Sequence, residues 1–326
     1  MESVIPPVDR KLLLKELADG KLLRESNMGK TEIYVFSHED SPNLMKELGR
    51  VREITFRDAG GGTGLSCDID TYDISETPYL QLIVWDPEGL EIIGGYRFIH
   101  GASVLDNPIE KLATSPLFSF SDLFLKEYLP YTIELGRSFV QPKYQQGNQA
   151  RKGLFALDNL WDGIGALSIE YPDIKYFFGK VTMYKSYDVE ARNHLLAFMN
   201  LYFPDKQHLV SPIAPIEVDF KKYQKAFRGN SYRNDYKTLS NIIRKSGERI
   251  PPLINTYMNI SSSMKTFGTV DNPHFGAVEE TGILVNISDI YSSKKDRHIL
   301  TYKRISKLSS IISSKLKMKV KQKRKL

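Results

Sequence analysis

The chain has 326 residues, 41% of them hydrophobic and 26% charged, and a formal net charge of +6. That composition buries a sizeable core and excludes disorder, collagen and coiled coil. One cysteine, Cys67, excludes an intrachain disulfide framework and any multi-cysteine metal or iron–sulfur site. No run of about 18 apolar residues is present, and the start lacks a basic stretch followed by an apolar one, so a cytoplasmic protein is expected.

Asp9 caps a short helix through Leu17, stopped at Gly20. Residues 32–36 read as a strand. Ser41 before Pro42 marks a helix start, and Leu44, Leu48 and Val51 carry that helix toward Phe56. A glycine-dense loop, Gly60 to Gly64, follows. Residues 79–85 and 90–100 form a hairpin around Asp86-Pro87-Glu88-Gly89. Residues 101–130 are irregular, with short helices. A strand at 131–140, a helix at 150–170, a strand at 175–182 and a helix at 188–203 come next. Past about 205 the pattern weakens into helical pieces over 218–249 and a strand at 281–287. The order is that of a mixed α/β fold. It divides into a core at 1–204, an extension at 205–291 and a tail at 292–326.

The charge is uneven. Residues 292–326 hold 13 Lys or Arg and one acid, Asp296, for a net of +12; the other 291 residues hold 32 basic and 38 acidic, a net of −6. Ile305, Leu308, Ile312 and Leu316 form one helical stripe flanked by lysines. A basic amphipathic helix of this kind reads as binding an anionic membrane surface, each Lys or Arg contributing about 1 kcal/mol; a solvated, disordered tail is the alternative reading. Nucleic acid is not expected, because the tail lacks interleaved aromatics and the body is acidic.

Several motif-like stretches carry no chemistry. Gly29-Lys30-Thr31 lacks the upstream glycine of a phosphate loop, since Arg24 stands there. The third glycine of a dinucleotide fingerprint falls on Leu65. Six scattered histidines give no metal-ligand spacing, so no metal is expected. Cys67 beside Asp68 has a raised pKa and makes a poor nucleophile.

Charged residues inside apolar strands are costly unless paired or used. Arg52 and Phe56 end the first long helix, and Asp68-Ile-Asp70-Thr-Tyr-Asp73 follows the glycine loop. Arg97 sits in Gly94-Gly-Tyr-Arg-Phe98, and Glu134 and Arg137 sit in Ile133-Glu-Leu-Gly-Arg-Ser-Phe-Val140. These residues suggest one buried ionic network; ordinary salt bridges are the alternative reading.

Their order, Arg52…Phe56, Asp70-x-x-Asp73, Arg97, Glu134-x-x-Arg137, resembles that of the acyl-homoserine-lactone synthases. It is more similar to the hemolysin-like N-acyltransferases that make ornithine and glycine lipids. "AGGGTG", "DIDTYD", "GGYRF", "ELGRSFVQPKYQ" and "LDNLWDGIGAL" resemble segments of that group, and "TFGTVDNPHFGAVEETGILV" its glycine-lipid branch. The resemblance spans roughly residues 10–300. It implies a GNAT-like fold, a mostly antiparallel sheet with one splayed strand pair, and an acyl donor carried by acyl carrier protein. No cofactor is implied beyond the phosphopantetheine of that donor.

The pyrophosphate loop of CoA-dependent GNAT enzymes is missing after residues 131–140, since Tyr144 stands three residues before Gly147. That favours a carrier-protein donor. The inferred reaction is attack of an amino-acid α-amine on a thioester, glycine favoured over ornithine, giving a lyso-aminolipid. A desolvated Glu134 suits the base. The resemblance places Arg52, Phe56, Asp70, Asp73, Arg97, Arg137 and Ser138 at the site, with either Arg97 or Arg137 as a holder of the amino-acid carboxylate. Trp161, Phe177, Phe178 and Phe198 line the acyl chain or are plain core. Lys143, Arg151 and Lys152 offer a basic dock for the acidic carrier. An acetyl-CoA-dependent acetyltransferase and a non-catalytic membrane-binding protein are the alternatives.

Overall fold

The computed structural model describes residues 1–18, 21–145 and 155–303. The expected tail stripe, the Gly147 loop, Arg151, Lys152 and Gly20 lie outside the described residues.

Eight strands form one sheet in the order β1-β2-β3-β4-β6-β7-β10-β9. They are β1 (Leu22–Glu25), β2 (Glu32–Phe36), β3 (Leu80–Asp86), β4 (Glu91–His100), β6 (Thr132–Val140), β7 (Tyr176–Met183), β9 (Lys265–Asn272) and β10 (Val278–Asn286). Two short strands, β5 (Phe118–Phe120) and β8 (Val210–Pro212), pair into a separate ribbon. The segment 205–291, expected to pack on the core as an extension, carries β9 and β10 and so completes the core sheet.

Both faces of the sheet are covered, which explains why β3 and β4 are buried along almost their whole length. On one face the helices Ala156–Glu170 and Val189–Tyr202 pack against Leu82, Phe98, Ile133, Leu135, Phe177 and Val285. On the other, α1 (Arg10–Leu17) and α2 (Pro42–Asp58) pack with Tyr34, Phe36, Ile83 and Trp85. Beside them lies an aromatic cluster of Tyr79, Phe118, Phe124, Phe178 and Phe267 under the β5–β8 ribbon. Asp9 caps α1 by accepting from the Lys11 amide at 2.9 Å, as its position predicts. Ser41 does not cap α2: its hydroxyl donates to Asp40 at 2.8 Å instead.

The middle of the sheet is its irregular part. All neighbours run antiparallel except β6 and β7, which are parallel and pair only from Thr132–Tyr176 to Leu135–Gly179. Beyond that rung β6 continues along β4 and β7 along β10, so the two strands splay. A bulge bends β6 at this point. Gly136 faces Arg97 and Phe139 faces Gly95, so Arg137 and Ser138 together oppose Tyr96. Arg137 sits at a φ of +49°. Because strand side chains alternate faces, this extra residue brings Arg137 to the same face as Arg97 and Glu134.

Candidate active site

The glycine-dense loop is filled by the protein's own carboxylate. Glu53 of α2 accepts from the Thr63 amide (3.1 Å), the Thr63 hydroxyl (2.7 Å) and the Gly64 amide (2.7 Å). Burial alone would raise this carboxyl; the hydrogen bonds from Thr63, Arg57 and Gly64 outweigh it and hold it low. The anchored loop delivers Asp68, Asp70 and Asp73 to the sheet. Asp70 and Asp73 are fixed by the start of a short helix, α3 (Thr71–Ile74): Asp70 accepts from the Asp73 amide at 3.3 Å and Asp73 from the Asp70 amide at 3.2 Å.

Three arginines from three elements meet these aspartates. Arg52 of α2, fully buried, lies 3.2 Å from Asp73 and donates to Gln81 of β3, which itself donates to Asp73 at 3.0 Å. Arg97 of β4 donates to both oxygens of Asp70 at 2.7 and 2.8 Å and lies 3.4 Å from Asp73. Arg137 of β6 lies 2.9 Å from Asp68 and 3.2 Å from Asp70. Charges balance at three and three, so the network is internally neutral.

Burial pushes the Asp68 carboxyl up even with Arg137 against it. For Asp73 burial pulls the same way, but Arg52 and Arg97 prevail and hold it low. The Arg137 guanidinium also stacks 4.3 Å over the Phe275 ring, and Phe56 packs 4.9 Å from the same ring.

Glu134 lies on the paired part of β6, one rung before the splay, with Phe178 as its cross-strand neighbour. It is 1% exposed. Thr114 donates to it at 3.3 Å, and Tyr79, whose hydroxyl accepts from the Ala113 amide, lies beside it. Burial raises its pKa to about 7, against the lowering effect of Tyr79, Arg97, Thr114 and Lys180. A carboxyl with that pKa changes charge near neutrality.

The structure gathers Arg52, Phe56, Asp70, Asp73, Arg97, Glu134 and Arg137 on one side of the sheet. Ser138 departs from the expected grouping: the bulge turns it to the opposite face, against the Tyr96 hydroxyl. Trp161, Phe177 and Phe198 also lie on that opposite face, packed with its two helices; of the four expected chain-lining residues only Phe178 faces Glu134. Lys143 pairs with Glu91 at 2.5 Å. The Cys67 thiol is pushed up to about 11, by burial first and Asp68 second.

Gln81, Thr114 and Tyr79 were not anticipated. Gln81 had a signal, since an amide inside Leu80-Gln-Leu-Ile-Val-Trp85 needs a buried partner. Thr114 and Tyr79 had none.

An acetyltransferase (GNAT) domain family matches residues 51–152, the stretch that supplies Arg52, Asp68, Asp70, Asp73, Arg97, Glu134 and Arg137. Two curated relatives named glycine N(alpha)-acyltransferase are each 52% identical to this chain. The one from Phocaeicola vulgatus aligns over 306 residues (93% of this chain, 94% of the relative). The one from Bacteroides thetaiotaomicron aligns over 308 residues (93% and 91%). The chain belongs to this family of GNAT acyltransferases. Among solved structures it is similar to the CoA-dependent acyl-homoserine lactone synthase BjaI with SAM and isopentyl-CoA, at 12% identity and a TM-score of 0.36, covering 82% of this chain and 86% of that one. As an acyltransferase the protein takes an acyl donor and an acceptor. The mixed α/β fold with its mostly antiparallel sheet is the one the sequence implies.

Proposed function

We propose that this acyltransferase moves a (3-hydroxy)fatty acyl group from acyl carrier protein to the α-amine of glycine, giving an N-acyl amino acid, a lyso-aminolipid. The observation that carries the reading is Glu134: a carboxylate 1% exposed, with a pKa of about 7, beside the point where β6 and β7 part. The glycine preference is supported by the two relatives' names.

In this reading the acceptor's ammonium gives a proton to Glu134 and the neutral amine attacks the thioester carbonyl. A nitrogen–carbon bond forms, the carbon–sulfur bond breaks, and the pantetheine thiol leaves with a proton. The donor's pantetheine arm carries amide groups and enters the splay, where backbone groups of β6 and β7 beyond Leu135 and Gly179 are not paired with each other. Backbone N–H groups there take the developing oxyanion. Arg52, Arg97 and Arg137 lock the Asp68–Asp73 segment over the site. Phe178 and the aromatic cluster behind it form the nearest apolar wall for the acyl chain.

A chain of about fifteen methylenes gains on the order of 12 kcal/mol on leaving water. The product therefore belongs in a bilayer, and the basic segment 299–326 would hold the enzyme at an anionic membrane face. Among the described residues no helix is long and apolar enough to cross a membrane.

The test is incubation of purified protein with acyl-carrier-protein thioester and each amino acid in turn, with mass spectrometry of the products. N-acylglycine is expected. Equal turnover with acetyl-CoA would make the protein an acetyltransferase. No product with any acceptor, from protein that still binds vesicles, would make it a binding module.

A further inference from the structure

Outside the arginine–aspartate network, Lys180 is a further cation on the same sheet face, paired with Glu280. Lys180 is the first residue of β7 beyond the last paired rung, Leu135–Gly179. Its charge acts on Glu134, and the charges of Arg97 and Arg137 act on it. Its Nζ donates to Glu280 of β10 at 2.5 Å. Glu280, 1% exposed, also accepts from the Thr182 hydroxyl at 3.0 Å and from Asn272 at 3.3 Å, so it is a fixed strut. An ammonium has three donors. Glu280 takes one, which leaves two for a further acceptor, and the Lys180 side chain keeps 16% of its surface exposed.

We propose that Lys180, oriented by Glu280, holds the α-carboxylate of the acceptor across the splay from Glu134. The assignment rests on the reading of the acceptor as an amino acid. A zwitterion fits this pair of charges: its ammonium end meets Glu134 and its carboxylate end meets Lys180. The arginines serve less well. Arg97 already lies between Asp70 and Asp73, and Arg137 between Asp68 and Asp70, so each arginine has two carboxylates at hand where Lys180 has one. Lys180 accepts a second anion without giving up the first. Burial lowers the pKa of its ammonium, so an added anion favours the charged form.

The experiment is steady-state transfer from a saturating acyl thioester to glycine and to glycinamide, which lacks the charged carboxylate. Lys180→Met is expected to raise the KM for glycine at least about tenfold, the loss of a hydrogen bond to a charged group. The donor KM should not move, and the preference for glycine over glycinamide should disappear. Glu280→Gln should raise the glycine KM by a smaller factor and leave kcat nearly unchanged, as befits a positioning residue. Melting temperatures check the fold; if Lys180→Met unfolds around its stranded carboxylate, the neutral double variant Lys180→Met/Glu280→Gln is assayed instead and should lose the same preference. An unchanged glycine KM, or a retained preference for glycine over glycinamide, would overturn the assignment of Lys180 alone. A wild-type protein that acylates neither acceptor would overturn the amino-acid reading and this one with it.

Discussion

As the proposed base, Glu134 would tie activity to a cost in stability. Its pKa rises from 4.5 to about 7 on folding, chiefly through burial. Between those values the folded chain holds a proton that the unfolded chain has lost, so this group's contribution to stability falls as pH rises through that window. The full shift corresponds to on the order of 3 kcal/mol. Glu134→Gln should therefore lower turnover by about 10²-fold or more, as loss of a general base does. The same substitution should stabilise the protein above pH 7 and leave it little changed below pH 5, as read by urea denaturation at both pH values. The wild-type profile of kcat/KM should be steeper by one unit of slope below about pH 7, and that extra slope should be absent in the variant. A variant that keeps wild-type turnover would move the base elsewhere. The charged residues of this site were legible in the sequence for a physical reason: Arg97 and Glu134 stand in strands too apolar to tolerate an idle charge. The same logic holds for Lys180 in Tyr176-Phe-Phe-Gly-Lys-Val-Thr-Met183, a charge inside an equally apolar strand. The partner assignments were not legible, because Arg52–Asp73 and Arg137–Asp68 join elements far apart in the chain.

At the scale of elements, the four rungs between β6 and β7 end where the strands part, and Gly179 closes the last of them. A Cβ at Gly179 would stand 2.5 Å from the Leu135 carbonyl oxygen, a backbone atom that cannot swing aside. Gly179→Ala should cost about 1–3 kcal/mol of stability, the usual range for overpacking. It should also slow transfer, since the displaced rung adjoins Glu134. A urea midpoint and turnover both equal to wild type would show that the splay widens freely. The long buried strands and amphipathic helices were readable from their periods. Three kinds of element were not. β1 is four residues long at a sheet edge. β9 is an edge strand bulged at Gly268, whose φ of +89° breaks the alternation a strand is recognised by. The bulge at Arg137 leaves no mark in the sequence, because the residue is an ordinary arginine in an unusual backbone state, and Ser138 was misplaced for that reason.

For the whole molecule, the chain is closed by its own C-terminal stretch before the basic segment begins. Tyr302 is buried and donates to Glu170 at 2.6 Å, and Arg24 of β1 donates to Thr301 at 3.2 Å. A deletion that tests membrane attachment must therefore spare residues through Lys303. Removing 304–326 takes away nine Lys or Arg and no acid. It should leave the melting temperature and turnover on dispersed substrates unchanged and weaken binding to anionic vesicles severalfold, measured by co-sedimentation. Equal sedimentation of both forms would refute the anchor.

The sparse pairing between β6 and β7 has a further effect. Five strands lie on one side of that line and three on the other, bound in the sheet by four parallel rungs. Such a seam opens at lower free energy than the antiparallel ladders beside it. A donor arm lying in it would supply the missing cross-links and act as a zip, so amides of residues 136–140 and 180–183 should exchange with deuterium more slowly when a non-reactive acyl-thioether analogue is bound. In that state the substrate is a ninth strand, and the catalyst is most rigid when it is loaded.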